Sequence, residues 1–246
     1  MRALNFELRS EFLLSRSGSH ATNLAIVPQS FALSHEAVTV RIARIKDAKR
    51  LEQLILQNRE WLRPWEATNP EGPNSFDIKR QIRGLLRQMD EQISMPFVVE
   101  LDGELVGQLN VANILYGSVS SAVIGYWIAP EAAGRGVITT AVALVSDYLL
   151  KIVGLHRIEI AIRPENAASL RVVEKLGFRY EGFRERFIHI NGSWRDHYVF
   201  ALTQEEVRGG ILNRWTEGAV PKIDYPWKEF KTEIKHTELN SDVQGS

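Results

Sequence analysis

Apolar residues alternate with polar ones at Val38, Val40 and Ile42, with Ile45 close behind, and this period of two predicts a first strand. The period then changes. Leu51, Leu54, Ile55 and Leu62 recur at the spacing of one helix face, with Asp47 placed to cap the start. Residues 61–73 carry prolines and tryptophans without a period and read as a loop; Ile78, Ile82, Leu85, Leu86 and Met89 mark a second helix. Segments 97–101 and 104–111 flank Asp102-Gly103, a hairpin turn pair. Residues 123–128 give the next strand, and a third helix follows whose face of Val142, Val145, Leu149 and Ile152 is expected against the sheet. A fifth strand at 157–162 leads to a helix that Asn166 caps and Gly177 ends, with Phe178 closing a Schellman-type terminus. Segments 183–190 and 194–202 form a final hairpin through Asn191-Gly192. The order predicts an α+β domain: a mixed, largely antiparallel sheet with helices on both faces.

Composition narrows the function. The 246 residues hold 30 basic and 30 acidic side chains, so no global field draws the chain to nucleic acid or an anionic membrane, and no direct nucleic-acid motif is present. Cysteine is absent, which removes acyl-cysteine chemistry, thiolate zinc sites and disulfides and fits a cytoplasmic protein. Six histidines lie scattered, so no metal is expected. The longest apolar run, 122–129, is too short for a membrane span. Residues 1–37 lack a signal-peptide core and read as a poorly ordered leader. Residues 208–246 read as a polar, flexible tail; Trp215, Tyr225, Trp227 and Phe230 leave open that part of it docks on the domain.

The most informative stretch is 125–138, Gly-Tyr-Trp-Ile-Ala-Pro-Glu-Ala-Ala-Gly-Arg-Gly-Val-Ile. A strand runs through a proline into a turn with Gly134 and Gly136, then a helix. Unpaired N–H groups and the positive end of the helix dipole there suit a phosphate, and Arg135 can add a bidentate contact. An ordinary strand-to-helix turn is the bland alternative. The lysine of a Walker loop is missing, and Thr139 stands where a dinucleotide fingerprint needs its third glycine.

This turn resembles the pyrophosphate loop of the GNAT superfamily of N-acetyltransferases, Gln/Arg-x-x-Gly-x-Gly/Ala. Gly136 matches; Ala133 and Ile138 depart from the pattern. Residues 156–182, with Pro164-Glu165-Asn166-Ala167-Ala168-Ser169 and Leu176-Gly177-Phe178 to Glu181-Gly182, are similar to the RimJ/RimL branch. Asn58 to Glu66 and Gly192 to His197 look RimJ-like, and the resemblance spans residues 38–207.

The resemblance implies the acetyltransferase fold, acetyl-CoA as cofactor and no metal. Backbone groups of Trp127, Ile128 and Ala129 would hold the pantetheine arm, with the Ile128 amide polarising the thioester carbonyl. Ala133, Gly134, Arg135, Gly136, Val137, Ile138 and Thr139 would form the pyrophosphate loop. Asn166 would contact the pantetheine region, or serve only as a helix cap. Ser169 would protonate the departing thiolate.

A base is harder to assign. The position where RimL-type enzymes place a glutamate is Ile188, leaving Glu66, Glu100, Asp196 and His197. Asp196 and His197 point to opposite faces of a strand, and Asp196 reads first as an anchor for a neighbouring loop. A lysine amine with pKa about 10.4 is only about 0.1% neutral near pH 7.5, whereas an N-terminal amine with pKa about 7.8 is roughly one-third neutral. A site without a strong base therefore suits an α-amine. Trp61, Trp65, Glu66, Tyr126 and Asp196 are the candidate acceptor contacts, although the tryptophans could simply cover the core.

The resemblance thus implies direct acetyl transfer to a protein N-terminus of the ribosomal-protein alanine class, by a monomer or homodimer. Acetylation of a small amine, and a non-catalytic acyl-CoA- or ribosome-binding protein, are the alternatives.

Overall fold

The computed structural model describes residues 27–72 and 76–227 of the chain. Among these residues eight strands form one sheet: β1 (Ala32–His35), β2 (Val38–Ile42), β3 (Met95–Leu101), β4 (Glu104–Leu115), β5 (Ser121–Ile128), β6 (Arg157–Ile162), β7 (Arg179–Ile190) and β8 (Ser193–Thr203). Their order is β1-β2-β3-β4-β5-β6-β8-β7, antiparallel at every junction except β5–β6. Neighbours Phe97 and Val98 point to opposite faces of β3 and are both fully buried, so both faces of the sheet are covered there.

Among the described residues six helices accompany the sheet: α1 (Ala48–Gln57), α2 (Arg59–Leu62), α3 (Ile78–Asp90), α4 (Val137–Tyr148), α5 (Ala167–Leu176) and α6 (Ile211–Thr216). Local signals placed several ends correctly. Asn166 accepts from the Ser169 amide at 3.1 Å, and Gly177 takes φ +68° while the Phe178 N–H reaches the Val173 carbonyl at 2.9 Å. Asp47 behaves otherwise. Its carboxylate turns back to the Arg44 amide and the Arg41 guanidinium and makes no side-chain cap to α1.

Three expectations change. Within 61–73 the chain forms α2 and a 3-10 turn at Arg63–Trp65 rather than an irregular loop from Trp61 onward. Every residue of α4 is buried, not one face, because α6 covers the side turned from the sheet. Ile152 is half exposed, since a π-turn at Leu149–Val153 adds a residue and rotates it outward.

Both ends extend further than expected. β1 pairs with β2 across a Glu36-Ala37 turn, so the sheet begins inside the segment read as leader; residues 1–26 lie outside the described residues. At the other end, Asp147 of α4 accepts from the Ile211 and Leu212 amides at 2.9 and 3.1 Å and caps α6. Tyr225 and Trp227 are buried, stack at 4.5 Å and bond to the Phe178 carbonyl and Glu174 carboxylate. Residues 208–227 thus dock, whereas Phe230 lies outside the described residues.

Candidate active site

The parallel junction between β5 and β6 is short. Pairing runs from Ser121↔Arg157 to Val123↔Glu159 and stops, while β5 continues to Ile128 alongside β4. Beyond Val123 the two strands splay. The Ala129 N–H donates to the Val106 carbonyl at 2.8 Å, which sets the phase of the β4–β5 ladder. Alternate residues of such a ladder turn both backbone groups the same way, so Trp127 faces β4 whereas Tyr126 and Ile128 face the gap. The Ile128 carbonyl accepts from the Trp61 indole at 3.0 Å, leaving its N–H directed into the splay.

Two expected contacts are already engaged within the protein. The Ala129 N–H is spent on Val106, and its carbonyl accepts from the Ala132 amide with one of its two lone pairs. Trp127 spends its own on β4, and its indole N–H donates to Gln108 at 3.3 Å. Gly107 permits the approach: a Cβ there would collide with the Trp127 carbonyl oxygen.

Past β5, the turn through Gly134 (φ +76°) and Gly136 (φ +81°) enters α4. Among the described residues, N–H groups 134–139 find no protein acceptor, and the first to do so is Thr140, on the Gly136 carbonyl. Six donors without a protein acceptor at the head of a helix suit a phosphate, and left-handed glycines leave room for it. Val137, Ile138 and Thr139 bury their side chains, so they can offer only backbone. Ala133 is half-buried, its N–H bonded to the Pro130 carbonyl, and Arg135 is exposed at the rim.

A cavity of about 160 Å³ opens in the splay, lined by Trp65, Ala67, Ile124 to Tyr126, Ile160 to Arg163, Asn166, Ser169, Ile188, Ile190 and His197. Tyr126, Trp65, Asn166 and Ser169 are thus brought together. The Tyr126 hydroxyl is buried and lies beside the Ser169 hydroxyl without making a full hydrogen bond. Burial pushes its pKa up, and the Ser169 hydroxyl only partly opposes that.

Several candidates lie elsewhere. Glu66 pairs with Arg59 at 2.6 Å, Glu100 with Arg41 at 2.7 Å, and Asp196 accepts from the Arg186 amide at 2.7 Å. None lines the cavity. Asp196 instead anchors a bulge in β7, where Arg186 takes φ +46° and the pairing jumps between Arg184 and Ile188. Trp61 acts through its indole on Ile128 and is itself largely exposed.

The wall made by the 3-10 turn is tied down at four points. Arg163 donates to the Pro64 carbonyl at 2.6 Å and lies over Trp65, Arg63 reaches Asn191, Ala67 bridges to Ile190, and Thr68 bonds His189. Sequence reasoning missed Arg163 and the aliphatic lining from β6 and β7. Strand alternation at 157–162 was the available signal for Ile160 and Ile162.

A splayed parallel pair, an open amide at the splay and a turn suited to phosphate at the next helix are the parts an acyl-CoA transferase needs. The acetyltransferase (GNAT) domain model matches residues 38–179. The chain belongs to the GNAT acetyltransferase family. It is 29% identical over 192 residues to the ribosomal protein uS5-alanine N-acetyltransferase of Escherichia coli, covering 76% of this chain and 93% of that one. Its fold matches Mycobacterium smegmatis RimJ in complex with CoA-disulfide, with TM-score 0.70, 35% identity, and 74% and 89% of the two chains covered. The ribosomal-protein-S5-alanine acetyltransferase of Vibrio fischeri aligns with TM-score 0.65 and 27% identity over 72% of this chain and 98% of that one.

Within this GNAT enzyme the site fits the cofactor. The turn at 134–139 supplies donors for a pyrophosphate, and the splay exposes the strand groups that an extended amide arm pairs with. Among the described residues no cluster of His, Asp or Glu side chains could hold a metal ion, and no helix is long and apolar enough to cross a membrane.

Proposed function

We propose that the protein transfers an acetyl group from acetyl-CoA to the N-terminal α-amine of a protein, with a ribosomal-protein alanine terminus as the substrate class. The observation that carries this reading is the lining of the cavity: it contains no carboxylate, and its one charged side chain is the Arg163 cation. A polyamine or lysine acceptor would bring its own positive charge into a cavity whose lining offers it no carboxylate, the Glu165 partner of Arg163 lying outside that lining. An α-amine, about one-third neutral near pH 7.5, needs no such partner.

When bound, the cofactor supplies an activated acyl thioester. The chain's part is positioning and charge. N–H groups 134–139, with Arg135, hold the pyrophosphate; Tyr126 and Ile128 present backbone groups to the arm. The Ile128 N–H stands ready for the carbonyl oxygen, where one preorganised donor is worth about 3 kcal/mol of barrier. The Ser169 hydroxyl, at the start of α5 beside Tyr126, is the proton donor for sulfur. The Trp65 wall shapes the opposite side for a small first residue.

The reading is supported by the ribosomal-protein alanine acetylation named for the relatives at 29% and 27% identity. Its test is the position of the label: an alanine-starting peptide with an internal lysine is incubated with isotope-labelled acetyl-CoA and fragmented in a mass spectrometer. Label on the first residue is expected. Label on the lysine alone, or none, would refute the assignment.

A further inference from the structure

The site as described has a proton donor for sulfur but no acceptor for the proton the amine sheds. Glu66, Glu100 and Asp196 are each committed to another partner, and Ile188 faces the cavity with an aliphatic side chain. Glu165, the nearest remaining carboxylate on the loop after β6, pairs with Arg163 and has an exposed side chain. One basic nitrogen is left.

His197 lies on β8, two residues beyond Arg195 on the same face, and lines the same cavity as Tyr126 and Ser169. It is 2% exposed. Its Nδ1 lies 2.9 Å from the Arg195 carbonyl oxygen. A carbonyl can only accept, so Nδ1 carries the proton and Nε2 holds the lone pair. Among the described residues Nε2 has no hydrogen-bond partner. A histidine serving only as core filling satisfies both nitrogens or packs both among apolar groups. Here one nitrogen is fixed to backbone and the ring lines the cavity that Tyr126 and Ser169 also line.

Resting on the acetyltransferase reading above, we infer that His197 is the catalytic base, its Nε2 accepting the proton released from the acceptor amine as the carbon–nitrogen bond forms. The amine lone pair makes the new bond to the acyl carbon, and the carbon–sulfur bond breaks with its pair on sulfur. Sulfur gains a proton through Ser169, which is restored from solvent, and the imidazolium returns its proton to water. Protons balance.

The surroundings set the strength of this base. Burial pushes the His197 imidazole below its ordinary value, and Arg163 adds to that; the Arg195 carbonyl, Glu165 and Asp196 oppose it. Arg184 is paired opposite on β7, and the Phe187 ring stands edge-on at 6.0 Å. The ring is therefore neutral and competent at pH 7. Against a lysine ammonium of pKa about 10.4, such a base works at least about ten-thousandfold uphill, but against an α-ammonium of pKa about 7.8 only some 20-fold or more. A weak base and an α-amine acceptor agree.

The test compares His197→Asn with His197→Gln. Asparagine can keep a donor near the Nδ1 position for the Arg195 carbonyl while removing Nε2; glutamine offers an uncharged amide near Nε2. Both are expected to lose about 100-fold or more in kcat/KM for an alanine-starting peptide, with the acetyl-CoA dissociation constant by calorimetry unchanged within about twofold. Below the lowered pKa of His197 the wild-type kcat/KM should fall with a slope of two on logarithmic axes, one proton for the amine and one for His197, and the variants with a slope of one. Ring 15N NMR of the unliganded wild type should show the Nδ1–H tautomer, titrating below the ordinary histidine range. Activity retained within about threefold, an unchanged pH profile, or an imidazole already protonated at pH 7 would overturn the inference. Wild-type turnover of lysine or polyamine instead of α-amines would refute the substrate reading alone, with the base then judged on that acceptor. Inertness toward every amine would refute both.

Discussion

The indole N–H of Trp61 donates to the carbonyl oxygen of Ile128 across 67 positions of sequence, at 3.0 Å. It fixes the last peptide of β5, whose neighbouring N–H is the donor at the splay. Trp61 is 43% exposed, so its contribution to global stability is small. Trp61→Phe should cost less than about 1 kcal/mol in a denaturant titration yet lower kcat/KM several-fold, because the donor's carrier is no longer held. A variant that unfolds or keeps full activity would argue against this role.

Gly136 takes φ +81° at the head of α4, and a side chain there would also meet the Trp215 ring at about 3.5 Å. A β-branched residue is strained by at least about 1–2 kcal/mol in that conformation. Gly136→Val should weaken acetyl-CoA binding by tenfold or more in calorimetry. Unchanged affinity would refute the assignment of the loop.

The pair formed by Tyr126 and Ser169 separates stability from function. A buried hydroxyl without a full hydrogen bond costs about 1–3 kcal/mol, so Tyr126→Phe should leave the melting temperature unchanged or raised. Ser169→Ala should lower kcat by about 100-fold, and adding Tyr126→Phe should cost less than the two separate losses multiplied, since the two hydroxyls are neighbours in one cavity.

Glu181 sits between Arg157 and Arg179, whose guanidinium groups pull its pKa down to about 2, the Arg157 bond contributing most. A folded pKa below the unfolded value of about 4.3 adds stability that is present at neutral pH and lost as pH falls. Wild type should therefore exceed Glu181→Gln in melting temperature above pH 5, and the gap should close between pH 4.5 and pH 2. A gap constant down to pH 2 would contradict the ion-pair account.

What the sequence revealed follows from the range of the forces involved. Asn166 and Gly177 were legible because a cap and a left-handed terminus are local. The Asp102-Gly103 and Asn191-Gly192 hairpins were legible for the same reason. β1 was hidden because Ala32 to His35 buries only Leu33 and gains its identity from pairing with β2. Docking of Tyr225 and Trp227 depends on rings from β7 and β8 distant in sequence. In the site, alternation showed that Asp196 and His197 oppose each other but not which faces inward. Which of the two faces inward is set by the β6 and β7 residues that build the cavity around His197, and no local signal carries that.

The central claim, α-amine transfer at a site without a strong base, is tested most directly by free thiol released from acetyl-CoA with three acceptors: an alanine-starting peptide, the same peptide blocked at its N-terminus but bearing a lysine, and a polyamine. Turnover with the free alanine terminus, and at least about 100-fold less kcat/KM for the other two near pH 7.5, is the result expected from the proton cost. Comparable turnover of lysine or polyamine would contradict the account.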